Sequence, residues 1–272
     1  MQPSPNAQPS PSASPAVEGG QISDLSAATR QNLLLSYNLE WTFGGKSQRG
    51  WYLYTSLIGR LLGTEERVDS NEFPAALARW QRGAGLTPSG VLNVDTLYKM
   101  VAVWQSRRIK ERVYPSPDQL IAASTAELYD PQRPLELRQV EREAYAAYKR
   151  MLAAAIADKS LGLRTTTNNE LAPSEKYLKI VSAFRSREYQ EQLRRQSPNS
   201  GRAGLAVNSP HFTGRALDLY VGGDPVETAD ANRAIQVNTP AYKWLVKNAE
   251  NYGFHPYYYE PWHWEYIPQE AK

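Results

Sequence analysis

The chain has 272 residues, enough for one large domain or two smaller ones with a buried core. Its 31 basic and 28 acidic residues leave a net charge of +3, too mild to indicate nucleic acid as a partner. It contains no cysteine, which excludes disulfides, thiolate metal ligands and a cysteine nucleophile, and it has no apolar run of about 18 residues that could span a membrane.

Residues 1–21 form a Pro/Ser tract that cannot bury enough apolar surface to offset chain entropy, and they read as an extended, disordered tether. No signal peptide is visible, and Met1 stands directly before this tract. The expectation is a mature, exported form that acts in the periplasm or at the cell wall, its export signal already removed.

Residues 22–110 read as helical. Leu53, Leu57, Leu61 and Leu62 recur at helical spacing, as do Phe73, Leu77 and Trp80. Gly83-Ala84-Gly85 ends that pattern, Pro88-Ser89-Gly90 is a turn, and Asn93 caps a last helix with Leu97, Met100, Val101 and Trp104 inward. The stretch 76–97, with its Trp80-Gln81 pair, Gly85-Leu86, the Gly90 turn, Thr96 and Leu97, resembles the three-helix peptidoglycan-binding domain. That resemblance implies a wall-polymer-binding surface.

Residues 111–135, carrying Pro115, Pro117, Pro131 and Pro134, read as a connector. A long helix is expected over 135–156, with Tyr145, Tyr148, Met151, Leu152 and Ala155 on its apolar face and Gly162 ending the pattern. A strand over 177–182 follows, with Arg185 just beyond its end. Further expectations are a helix over 188–195, a strand over 215–221, a helix over 239–251 closed by Gly253, and a strand over 262–267.

The chemistry concentrates in Ser209-Pro210-His211-Phe212-Thr213-Gly214-Arg215-Ala216-Leu217-Asp218 and in Glu260-Pro261-Trp262-His263. These hold two of the chain's three histidines. Imidazole nitrogen and carboxylate oxygen suit zinc, whose catalytic sites take three protein ligands and a water. His211, Asp218 and His263 are the candidate ligands, with Glu260 as the base beside the water. His211 and Asp218 are seven apart and would face opposite ways on a straight strand, so the chain must bend, and Thr213-Gly214 offers the bend. Pro261 makes the segment between Glu260 and His263 irregular. His255 has no such motif around it and reads as structural.

Ser-x-His-x-x-Gly-x-Ala-x-Asp followed by Glu-Pro-Trp-His resembles the VanY/VanX-type zinc D-Ala-D-Ala peptidases over residues 136–268. Ser182-Ala183-Phe184-Arg185-Ser186 with Gln190, and Asn251-Tyr252-Gly253-Phe254, stand where the family has related segments. Ala183 and Phe184 replace the usual Gly and Tyr, and Glu265 follows Trp264 where many members have Arg.

The resemblance implies an α+β fold, with an antiparallel-sheet, hedgehog-like D,D-peptidase domain over 136–272 preceded by the small all-α domain. It implies one zinc ion and a peptidoglycan or muropeptide substrate, with cleavage before a terminal D-Ala. Arg185 would stabilise the oxyanion, and Ser209 and Gln190 would bind substrate, although Ser209 could instead fix the loop that carries His211. An endolysin-type endopeptidase cutting L-Ala-D-Glu and a wall-binding protein without turnover are the alternatives. No oligomeric state is assigned.

Overall fold

The computed structural model describes residues 26–196 and 208–268. The tether expected over 1–21 lies outside the described residues. The fold is mixed α+β, with antiparallel sheets and an N-terminal helical region.

Helix α1 (Ala27–Asn38) starts at Ser26, whose side chain accepts the Thr29 amide and satisfies one of the helix's unpaired donors. Its buried Asn32 donates to the Gly90 carbonyl and accepts from the Leu92 amide, both at 2.8 Å. Helices α2 (Thr55–Leu62), α3 (Glu72–Gly83) and α4 (Val94–Ser106) follow, the last capped by Asn93 as the sequence predicts. Gln81 explains the Trp-Gln signature: its side chain accepts from the Gly90 amide at 2.9 Å and donates to the Val91 carbonyl at 3.0 Å, locking the turn between α3 and α4.

This region is not all-α. Strands β1 (Glu40–Phe43) and β2 (Lys46–Arg49) form a hairpin that the helical reading overlooked. Gly44 and Gly45 turn it with φ of 59° and 79°, the double left-handed geometry that glycine supplies.

Strands β3 (Leu120–Ala122) and β4 (Gln139–Glu141) pair antiparallel. Helix α5 (Arg142–Ala157) therefore begins later than the expected residue 135. Residues 139–141 are drawn into the β3 ladder, and Glu141 caps the helix by accepting the Ala144 amide at 2.9 Å. A four-stranded sheet, the third among the described residues, contains β5 (Ile180–Ser182), β6 (Ala216–Leu219), β7 (Phe254–Pro256) and β8 (His263–Tyr266), in the order β5-β6-β8-β7, all antiparallel. Helix α6 (Arg187–Gln196) follows β5. Helices α7 (Asp230–Asn238) and α8 (Pro240–Asn248) lie between β6 and β7, α7 being an addition to the sequence reading. The left-handed Gly253 closes the turn after α8, as expected.

The apolar core is continuous between the helical region and this sheet. Tyr258 packs against Tyr54 and Trp104, with ring centroids 5.4 and 5.7 Å apart. Buried Arg233 on α7 donates to the Tyr54 hydroxyl at 2.9 Å and lies 4.3 Å from the centre of the Tyr259 ring. Among the described residues no helix is long and apolar enough to cross a membrane.

Gly214 sets the entry into β6. It ends the short 3-10 turn Pro210–Thr213 with φ of 66°, and its carbonyl accepts the Glu141 amide at 3.0 Å. A Cβ there would meet the Glu141 nitrogen at 3.0 Å and a Leu120 methyl at 3.2 Å. Gly214→Ala should therefore destabilise the fold by about 1–2 kcal/mol from backbone strain alone, read as a lower urea midpoint with excess chelator present.

Candidate metal centre

Strand register brings the site together. Asp218 on β6 is the direct partner of His263 on β8 and of Ser182 on β5. His211 reaches the same point from the 3-10 turn. Its carbonyl accepts the Arg185 amide at 3.2 Å and its Nδ1 donates to the Ala183 carbonyl at 2.6 Å, which pins the turn to the segment after β5. Ser209 caps that turn, its hydroxyl accepting the His211 amide at 3.3 Å. The bend expected between His211 and Asp218 is thus this turn and Gly214.

His211, Asp218 and His263 are buried, and their ligand atoms lie within 4.8 Å of one another. Asp218 Oδ1 is 3.3 Å from His211 Nε2 and 2.9 Å from His263 Nδ1. Two ligands each about 2.0–2.2 Å from a tetrahedral zinc are roughly 3.3 Å apart, so the donor set fits such an ion. The outer nitrogens fit it too: His211 Nδ1 faces the Ala183 carbonyl and His263 Nε2 faces Glu265 Oε1 at 3.2 Å, as metal-binding imidazoles require.

The electrostatics agree. Burial, with Arg185 nearby, lowers the His211 pKa to about 4, so its ring is neutral and a lone pair is available. Burial opposes charge on His263 as well, but its bonds to Asp218 and Glu265 raise its pKa to about 9, so the pocket favours positive charge beside Asp218.

Glu260 is placed by a turn. The His263 amide donates to the Glu260 carbonyl at 2.9 Å, with Pro261 at the position that suits its fixed φ. The Glu260 carboxyl is buried, Oε1 has no hydrogen-bond partner among the described residues, and burial raises its pKa to about 7. Arg185 contacts Asp218: Nη2 donates to Oδ2 at 2.8 Å while Nε donates to the Ser182 hydroxyl at 2.9 Å. Gln190 is buried on α6. Trp262 is buried beside the centre, and His255 lies apart from the ligand cluster, on β7.

Sequence reasoning missed the contact of Glu265 with His263. Its signal is the i+2 spacing from His263, which puts both side chains on one face of β8.

The model of the VanY D-alanyl-D-alanine carboxypeptidase family matches residues 137–269. No curated protein matches the chain. Among solved structures the chain is similar to the LdcB LD-carboxypeptidase, described as revealing the molecular basis of peptidoglycan recognition, with 26% identity, a TM-score of 0.41, and coverage of 58% of this chain and 71% of that one. The buried His-Asp-His cluster sits within the matched segment, and residues 137–269 are a domain of the VanY D-alanyl-D-alanine carboxypeptidase family.

Proposed function

We propose that this chain is a zinc-dependent carboxypeptidase that hydrolyses the terminal D-Ala from D-Ala-D-Ala ends of peptidoglycan stem peptides. The observation that carries this reading is the convergence of His211, Asp218 and His263 beside the buried, unpartnered oxygen of Glu260. In the same reading, residues 22–110 form a peptidoglycan-binding-like domain, 111–135 join it to the peptidase over 136–272, and the protein works outside the cytoplasm at the wall.

Zinc held by the three ligands would supply Lewis acidity and a water whose pKa lies near 7. Glu260 takes the attacking water's proton and returns it to the departing amine of D-Ala. A carboxyl group with a pKa of about 7 can do both near neutral pH. Arg185 offers permanent positive charge toward the oxyanion, and two of its five N–H groups already fix it to Ser182 and Asp218. In this reading Ser209 acts through its cap on the His211 turn, and Gln190, buried on α6, is assigned as a substrate contact.

The direct test incubates the purified protein with pentapeptide and tetrapeptide muropeptides and weighs the products. Loss of one alanine from the pentapeptide is expected. Trimming of the tetrapeptide alone would move the specificity to an L,D bond, release of the stem would favour the endopeptidase, and no product would remove the hydrolytic reading.

His263→Ala should lose both stoichiometric zinc and turnover, whereas Glu260→Ala should retain zinc and lose about 10²- to 10⁴-fold in kcat, measured by metal analysis and initial rates. Arg185→Ala should lose about 10²- to 10³-fold in rate and, because Arg185 also holds Asp218, some zinc. The pH profile carries a sign: protonated Glu260 cannot accept a proton, so kcat/KM should rise as pH climbs through its acidic limb. Zinc would draw that limb below about 7, and a rate that stays flat from pH 5 to about 8 would overturn the base assignment.

A further inference from the structure

Glu265 is fully buried, yet the peptidase motif makes no use of it. Its Oε1 faces His263 Nε2 at 3.2 Å, and its other partners come from the far end of the helical region. Arg108, two residues beyond α4, donates to Oε1 through Nε at 2.8 Å and through Nη2, and the Ile109 amide donates to Oε2 at 2.7 Å. The Arg108 guanidinium also lies 3.9 Å from the centre of the Tyr257 ring, which meets the His263 imidazole edge-on with centroids 5.9 Å apart.

We infer that Glu265, clamped by Arg108 and the Ile109 amide, is the positioning residue for His263, so that the N-terminal helical region completes the metal centre of the peptidase. This rests on the zinc reading of the triad. An imidazole donates a lone pair from one nitrogen only when its proton sits on the other. An ionised carboxylate can only accept, so Glu265 holds the proton on Nε2 and leaves Nδ1 directed at the point shared with Asp218. A carboxylate behind a ligating imidazole also strengthens it as a donor. Glu265 can remain ionised in the interior because Arg108 pairs with it, since an unpaired buried charge is strongly unfavourable.

The test uses the full chain and measures zinc affinity by chelator competition, together with the visible spectrum of the cobalt-substituted protein. Glu265→Gln and Arg108→Met should each weaken zinc binding by about 10- to 100-fold and shift the cobalt bands, and Arg108→Lys should recover part of the loss. Arg107→Met is the control. Its side chain lies on the same interface but pairs with Glu250 at 3.1 Å, and it should leave both readouts at wild-type values. Circular dichroism verifies folding of each variant. Wild-type affinity in both Glu265→Gln and Arg108→Met, or an equal loss in Arg107→Met, would overturn this inference alone. A wild-type protein that binds no zinc would overturn the metal reading itself, and this inference with it.

Discussion

The cross-strand pairing of Asp218 with His263 governs everything else at the site. The two are register partners on β6 and β8, so their side chains emerge on the same face at the closest approach two strands allow. A slip of one residue on either strand would turn that strand's side chain to the opposite face and separate the pair. The register is held beyond the pair: Tyr266 donates to the Arg215 carbonyl at 2.8 Å on one side, and Leu219 donates to the Trp262 carbonyl at 2.8 Å on the other. Once Asp218 is fixed, its two oxygens have separate duties. Oδ1 faces both imidazoles and Oδ2 is held by Arg185. A carboxylate this deep would be unstable without opposite charge, and burial alone would raise its pKa, yet His211, His263 and Arg185 hold it well below the usual range.

Three buried carboxylates surround this point, and their neighbours separate their roles. Asp218 has Arg185 behind it, and Glu265 has Arg108. Burial would raise the Glu265 pKa, but His263 and Arg108 together bring it down to about 2, so it stays ionised and only accepts. Among the described residues no such cation is in contact with Glu260, and burial carries it to about 7. Burial is common to all three, so burial does not distinguish the roles proposed for them, ligand, orienting group and base. The placement of two arginines does. Environments that push similar groups apart in pKa are how one site assigns acid and base duties to chemically identical side chains.

The parts of this arrangement that the sequence revealed are those encoded within a few residues. The His211–Asp218 spacing demanded a bend and Gly214 supplied it, and Pro261 marked the turn between Glu260 and His263. The Asn93 cap and the Gly253 stop were equally local. The hairpin Glu40–Arg49 was hidden because each strand has four residues, too few for an alternating pattern to stand out beside long leucine stripes. The start of α5 was misplaced because pairing with β3, made by residues about 20 positions upstream, overrides the helical propensity of 139–141. Arg108 lies 157 residues from Glu265, and no periodicity or motif joins them. Only the folded chain reveals that pair.

That pair bears on how the two ends of the molecule work together. A helical region that served only to hold the enzyme near its polymer would need no more than a flexible connection. Here the contact is built from aromatic side chains around Tyr258, the hydrogen bond from buried Arg233 to the Tyr54 hydroxyl, and an ion pair with a fully buried carboxylate, Arg108 with Glu265. Buried ion pairs add little to stability relative to apolar residues of the same volume, because desolvation consumes most of the attraction. Their strength lies in geometry, since each fixes a donor and an acceptor at one separation and orientation. Arg108 applies that geometry through Glu265 to His263, one side chain removed from the candidate ligands. The contact between helical region and sheet thereby reaches the imidazole itself, and on the inference drawn above a change just beyond α4 would be transmitted to the candidate metal centre through two hydrogen-bonded side chains.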